Sequence, residues 1–398
     1  MGGDDNSLFT VYKNVIKHRL LNYTFSVKGG IRQLGPKTSE DPLMHLFLSS
    51  SRGDSVGEAL EHVNEIQRAP IIDRLYSYIK EAKERIDFMK VFMSGVLPYE
   101  KEANEKEIDN RLLSKHFIAN NGQMSPQVLK EMKDNKGMIM VDSGAFTVWT
   151  KGKEIDIDEY SDWIKENIEY ADYFVSLDVI PGSLSRPCTS YTEKQESAGK
   201  SLKNYFKMVR KGIPPEKLIH VLHFGDDMKW ADRSQDMPFI GFGGLVGQNP
   251  AIRKEWLSSF TKKLIDKEGY PVNKWHVFGV TDQDILLSAP FYSADSAGWL
   301  RKAVTGSIDI WNGSKFLTTR ICHEVKDGTN HFFNLPEKQK QKMKEIIESY
   351  GFTMEQIQEK NPVMRIGFNI VNWKAYEKYL DEKKPWPWNM PKTMPSLF

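Results

Sequence analysis

The chain has 398 residues, with 55 Lys and Arg against 53 Asp and Glu, so its formal charge is only +2. That balance excludes a histone-like or tail-driven polycation, and any contact with nucleic acid has to come from a local patch. With 40% hydrophobic and 27% charged residues, the composition excludes disorder as the dominant state and suits one large domain with additions, or two domains.

Two cysteines, Cys188 and Cys322, exclude a disulfide scaffold and a four-thiolate zinc site. No window approaches ~18 consecutive apolar residues, and the start MGGDDNSLFT lacks both a basic region and an apolar core. A soluble, cytoplasmic protein with no membrane partner is therefore expected.

Residues 1–88 read as a mostly helical N-terminal extension. Between Val56 and Met89, the apolar residues Val63, Ile66, Ile71, Leu75 and Ile79 recur at helical intervals among charges. Inside that extension, VKGGIRQLGPKTSED (Val27 to Asp41) is rich in Gly, Pro and charge and reads as a loop.

Residues 89–320 alternate short apolar runs with amphipathic stretches, as strands alternating with helices do. The runs are KVFMSGV, GMIMVDSGAF, ADYFVSLDVIP, KLIHVLHFG, MPFIGFGGLVG, KWHVFGVTD, YSADSAGW and SIDIWNGSKFL. Eight buried strands in a stretch of roughly 230 residues predict an α/β fold, a (β/α)8 TIM-type barrel whose usual size is about 250 residues, rather than an open doubly wound sheet. No Gly-x-Gly-x-x-Gly follows a strand, which argues against a dinucleotide site. Residues 321–398 form a C-terminal helical extension. There LPEKQKQKMKEIIESYG predicts a helix with Gly351 just past its end, and the Trp- and Lys-rich tail KKPWPWNMPKTMPSLF is excluded from regular helix by its prolines.

Several runs end in polar or small residues: Asp142-Ser143-Gly144, Asp178, His223, Gly243-Gly244, Gly279 and Asp295. In a parallel barrel the C-terminal strand ends converge on one face, where the active sites of such barrels lie. Singly, each Asp is as well explained by backbone hydrogen bonds at a strand-to-helix turn. Together, three carboxylates at one mouth need a shared purpose. Two of them suffice for a double displacement at an anomeric carbon, one as nucleophile and one as acid then base. The third, accepting two parallel N–H bonds, suits the edge of a guanine-like base. Gly243 and Gly244 let a planar ligand approach the backbone, and a tight turn explains them equally well. Phe146 and Phe278 lie where they would sandwich a flat base, or simply fill the barrel.

Five motifs, VDSGAF at 141–146, SLDVIP at 176–181, GFGGLVG at 241–247, HVFGV at 276–280 and ADSAGW at 294–299, resemble in order and spacing those of the tRNA-guanine transglycosylase superfamily. The resemblance is strongest to its DNA-modifying branch, the 7-deazaguanine DNA transglycosylases of phages and bacteria. It implies that Asp295 is the nucleophile on C1′, Asp142 the general acid/base, and Asp178 the carboxylate that reads the base edge. It further implies that Gly243 and Gly244 donate backbone N–H groups to the base, with Gly279 beside them, that Phe146 and Phe278 stack on its two faces, and that Arg301 contacts a phosphate. His223 stands where the family has Gln as a contact to the exocyclic group, and Ser143 is a further polar residue that orients the base. Ala145 and Thr147 replace a Gly and a Gln of the first motif. The family's Cys-x-Cys-x-x-Cys zinc run is absent, and Cys322-His323 with His331 matches no standard spacing, so no metal and no cofactor are expected. Loss of the module that helps to seat tRNA favours DNA as the polymer.

The implied reaction exchanges guanine in DNA for a 7-deazaguanine base, a precursor of the preQ0 or preQ1 type, and leaves the backbone intact. With so small a net charge, phosphate contacts must be concentrated. The tail offers Lys374, Lys378, Lys383, Lys384 and Lys392 among Trp373, Tyr376, Tyr379, Trp386 and Trp388, a spacing that tracks phosphates and stacks bases. A solvated helix face with a Trp-anchored tail explains the same pattern. Lys28, Arg32 and Lys37 form a second basic candidate. Three alternatives stay open: the same chemistry on tRNA, a non-catalytic barrel that binds a base or nucleic acid, and a glycoside hydrolase.

Overall fold

The computed structural model describes residues 89–95, 110–114, 130, 133, 138–152, 154–183, 186, 188, 190–266, 271–322 and 331–383. Eight parallel strands follow one another around a barrel: β1 (Lys90–Ser94), β2 (Asn110–Ser114), β3 (Met138–Asp142), β4 (Tyr173–Val175), β5 (Leu218–His223), β6 (Phe239–Gly243), β7 (Lys274–Val277) and β8 (Ser293–Ser296). β8 pairs back onto β1, with Phe92 opposite Asp295, which closes the ring. The fold is thus a mixed α/β barrel of parallel strands flanked by helices, as the alternating pattern predicts.

The barrel helices are α1 (Ala145–Thr150), α2 (Ile157–Glu166), α3 (Tyr191–Arg210), α4 (Met228–Ser234), α5 (Pro250–Lys263), α6 (Gln283–Leu286) and α7 (Gly298–Val304). Side-chain caps start several of them. Asp156 accepts from the N–H groups of Asp158 and Glu159 at 2.7 and 3.0 Å, Asn249 caps α5 with Pro250 in its first turn, and Asp282 caps α6.

Alternate strand residues divide between two cores. Phe92, Met140, Val175, Ile219, Val221 and Phe239 fill the lumen, while Val91, Met93, Ile139, Val141, Leu222 and Ile240 pack outward against the helices. Lumen residues at the C-terminal strand ends therefore share one mouth.

Two sequence expectations are corrected. SIDIWNGSKFL is not a barrel strand. Its first half is β9 (Ser307–Trp311), which pairs antiparallel with β10 (Phe316–Arg320) outside the barrel. The missing barrel strand is β2, whose sequence NRLLS carries only two apolar residues and so gives no visible run. The hairpin joins the C-terminal helices α8 (Glu337–Ser349), α9 (Met354–Gln358) and α10 (Val363–Lys383): Ile308 and Ile310 cluster with Met343, Ile347, Ile357 and Phe368. That C-terminal unit accordingly begins ahead of residue 321. Gly351 lies just beyond α8 with φ +80°, as expected of a residue ending a helix. The predicted helical extension at 1–88 and the tail at 384–398 lie outside the described residues. Among the described residues, no helix is long and apolar enough to cross a membrane.

Helix α10 ties the hairpin to the barrel through side-chain amides. The Asp309 N–H donates to Asn369 Oδ1 and the Trp311 N–H to Asn372 Oδ1, both at 2.8 Å, so the free edge of β9 is satisfied. Asn369 Nδ2 also donates to the Trp299 carbonyl at 2.8 Å. Asn369→Ala therefore leaves the buried Asp309 N–H without its partner and lowers stability by about 1–3 kcal/mol, read by chemical denaturation of the full chain.

Candidate active site

The ring of strands gathers Ser94, Asp142, Asp178, His223, Phe278 and Asp295 at one mouth, from β1, β3, the loop after β4, β5, the loop after β7, and β8. The carboxylates act on one another electrostatically. Burial, followed by the charges of Asp178 and Asp295, raises the Asp142 carboxyl from an ordinary 3.8 to about 7, against the N–H groups of Gly144 and Ser143.

Asp295 is 6% exposed and, among the described residues, receives three donors. Ser94 Oγ donates to Oδ2. Oδ1 accepts from the Gly279 N–H at 2.7 Å and from His276 Nε2 at 3.3 Å. His276 Nδ1 lies 2.8 Å from Ser293 Oγ.

Asp178 is held on the other side. His223 Nε2 meets its Oδ2 at 2.9 Å, and Ser143 Oγ donates to Oδ1 at 3.3 Å while accepting from the Ala145 N–H. Burial opposes protonation of the His223 ring, yet the hydrogen bond and charge of Asp178, with the charge of Asp226, outweigh it and raise its pKa. The neighbouring His220, packed edge-on to Tyr205, goes the other way: burial and the charge of His223 lower it to about 3. Asp226 accepts from the His223 N–H at 2.8 Å, and burial raises its carboxyl to about 6 despite His223. Under the site, the buried Tyr160 hydroxyl donates to the Val175 carbonyl at 2.8 Å. Burial, then the charges of Asp142 and Asp178, raise its pKa well above 10.

Strand β6 makes room for this arrangement. Its lumen positions read Phe239, Gly241, Gly243. A Cβ on Gly241 would lie 2.3 Å from Phe278 Cε2, and one on Gly243 would lie 3.3 Å from His223 Cδ2. The glycines thus admit aromatic rings from the two neighbouring strands. Gly244 carries φ +71° in the turn that follows.

The remaining predicted residues fall as follows. Phe146 is 63% exposed on α1 and stacks on Trp149 with centroids 5.8 Å apart. Phe278 is half-buried against the lumen cluster, with its ring edge-on to His276 at 4.4 Å between centroids. The Gly279 N–H is spent on Asp295, and Arg301 is exposed on α7. Lys378 and Lys383 are exposed near the end of α10, Lys378 beside Glu382 at 3.9 Å. Their aromatic neighbours Trp373 and Tyr376 are buried against Trp311 and Phe316, which removes them as stacking surfaces. Lys384, Trp386, Trp388, Lys392, Lys28, Arg32, Lys37 and His323 lie outside the described residues. Cys322 and His331 are buried, with His331 Nε2 3.2 Å from the Cys322 carbonyl oxygen.

Sequence reasoning missed Ser94, His276, Ser293, Tyr160 and Asp226. Parity offered a signal for two of them: Ser293 lies two residues before Asp295, and His276 two before Phe278, so each shares the lumen face of a residue already singled out. No protein-family model and no curated protein matches this chain.

Between about pH 4 and pH 7 the folded chain holds a proton on Asp142 that the unfolded chain has released, so this group removes stability as pH rises through that window. Asp142→Asn is expected to flatten the stability profile there by a slope of about one proton, measured as denaturation midpoints from pH 4 to pH 8.

Proposed function

We propose that the chain is a (β/α)8 TIM-type transglycosylase that exchanges guanine in DNA for a 7-deazaguanine base. One observation carries the reading: at the mouth where Asp178 and Asp295 help to raise the Asp142 carboxyl to about 7, Asp295 itself is fixed by the Ser94, Gly279 and His276 donors. That pairing is what a retaining displacement at a sugar carbon needs, an acid that holds its proton at neutral pH and a nucleophile with a defined aim. The motif series at 141–146, 176–181, 241–247, 276–280 and 294–299 supplies the guanine class.

In the proposed reaction, Asp295 attacks C1′ as the C1′–N9 bond breaks, and Asp142 gives its proton to the departing guanine. A base of the preQ0 or preQ1 type then enters, loses its N9 proton to Asp142, and displaces Asp295 from the sugar. Asp178 accepts from the N1 and N2 donors of the base, with His223 at the exocyclic oxygen and Ser143 supporting Asp178. Gly243 and Gly244 border the base, and Phe146 and Phe278 stack on its two faces. The target guanine must first leave its stack, which costs a few kcal/mol in duplex and little in single strand. DNA is proposed over tRNA because Ala145, Thr147 and the missing cysteine run depart from the tRNA-acting pattern.

The test is incorporation of labelled guanine or 7-deazaguanine into DNA and, in parallel, into tRNA. The wild-type chain is expected to label DNA, with Asp295→Asn and Asp142→Asn each reducing the rate at least about a thousandfold. Labelling of tRNA alone moves the polymer. Full activity in Asp295→Asn, or no labelling of either polymer, contradicts the reading.

A further inference from the structure

We infer that His276, locked by Ser293, is a positioning residue that keeps Asp295 Oδ1 occupied and leaves Oδ2 as the oxygen that attacks. The chemical part of this inference rests on the transglycosylase reading, whereas the lock itself rests on geometry alone.

A carboxylate only accepts hydrogen bonds, so the ring nitrogen that faces Asp295, Nε2 at 3.3 Å, carries the proton. A neutral imidazole then has a bare Nδ1, and Ser293 Oγ, 2.8 Å away, donates to it. His276 is 0% exposed, with the Phe92 and Phe278 rings edge-on at 6.0 and 4.4 Å, so the imidazole has no water to turn to.

The two oxygens of Asp295 differ in what holds them. Oδ1 takes the Gly279 backbone N–H and the caged His276 N–H, neither of which can swing away. Among the described residues, Oδ2 takes the Ser94 hydroxyl alone, whose proton turns aside by rotation about one bond. Oδ2 is therefore the oxygen that can be freed. In the first half-reaction the Oδ2–C1′ bond forms as the C1′–N9 bond breaks, its electron pair leaves with the base, and the base takes the Asp142 proton. In the second, the incoming base gives its N9 proton to Asp142 and its N9 lone pair bonds to C1′. The Oδ2–C1′ pair then returns to Asp295, where the two donors on Oδ1 stabilise the returning charge.

Nitrogen-15 spectra of the histidine-labelled full chain read the lock without any substrate. The expected result is a neutral His276 carrying its proton on Nε2, with Ser293→Ala weakening that preference. In the exchange assay His276→Leu is expected to lower kcat about a hundredfold with little change in KM. His276→Gln, whose side-chain amide still donates, is expected to recover most of the rate. An Nδ1–H tautomer or an imidazolium overturns the lock. A His276→Leu enzyme at the wild-type rate, a loss confined to KM, or a folded His276→Gln as slow as His276→Leu overturns the positioning role. A wild-type chain that exchanges no base on any polymer defeats the transglycosylase reading, while the spectra still decide the lock.

Discussion

Three carboxylates gathered at one barrel mouth, Asp295 buried and Asp142 and Asp178 half-buried, repel one another, and the arrangement around them offsets that repulsion in three different ways. Asp178 is paired with the His223 ring and the Ser143 hydroxyl. Asp295 is surrounded by donors from β1, β7 and the turn after β7. Asp142, which among the described residues has the Gly144 and Ser143 backbone N–H groups to help it, holds a proton into the neutral range. A carboxyl that keeps its proton beside one held by fixed donors is how one site comes to contain both an acid and a nucleophile.

The barrel accommodates these partners by giving up side-chain volume on a single strand. Gly241 and Gly243 of β6 leave space that Phe278 and His223 enter from either side, so recognition and nucleophile-holding elements meet across the same stripe. The C-terminal unit is held to this frame by buried amides and by Asp309, whose carboxylate accepts from Lys302, Thr318 and Trp373. The aromatic residues of α10 are used in that junction. Any phosphate contact from its lysines therefore works without stacking help from Trp373 or Tyr376.

Much of the barrel was legible in the sequence because parallel strands buried on both faces read as short apolar runs, as in MIMVD or FIGFG. β2 was not, since NRLLS has too little apolar character to stand out, and its place was given to SIDIW, which is buried by a hairpin and three helices instead of a barrel. The acids were legible as charges ending apolar strands. Their partners were not, because Ser94 carries no comparable signal, and Ser293 and His276 look like any polar residues inside a strand until parity is applied. The pairing of His223 with Asp178 depends on a register between β5 and the end of β4 that no local pattern encodes.

The central claim, that Asp295 bonds to the sugar while Asp142 manages the proton, is most directly tested by trapping. The full chain is mixed with a guanine-containing oligonucleotide, quenched in denaturant, digested and mapped by mass spectrometry. The account predicts a nucleotide adduct on the peptide that carries Asp295, with none on the peptides of Asp142 or Asp178. An adduct on Asp142 or Asp178, or exchange that proceeds with no adduct on any carboxylate, would contradict it.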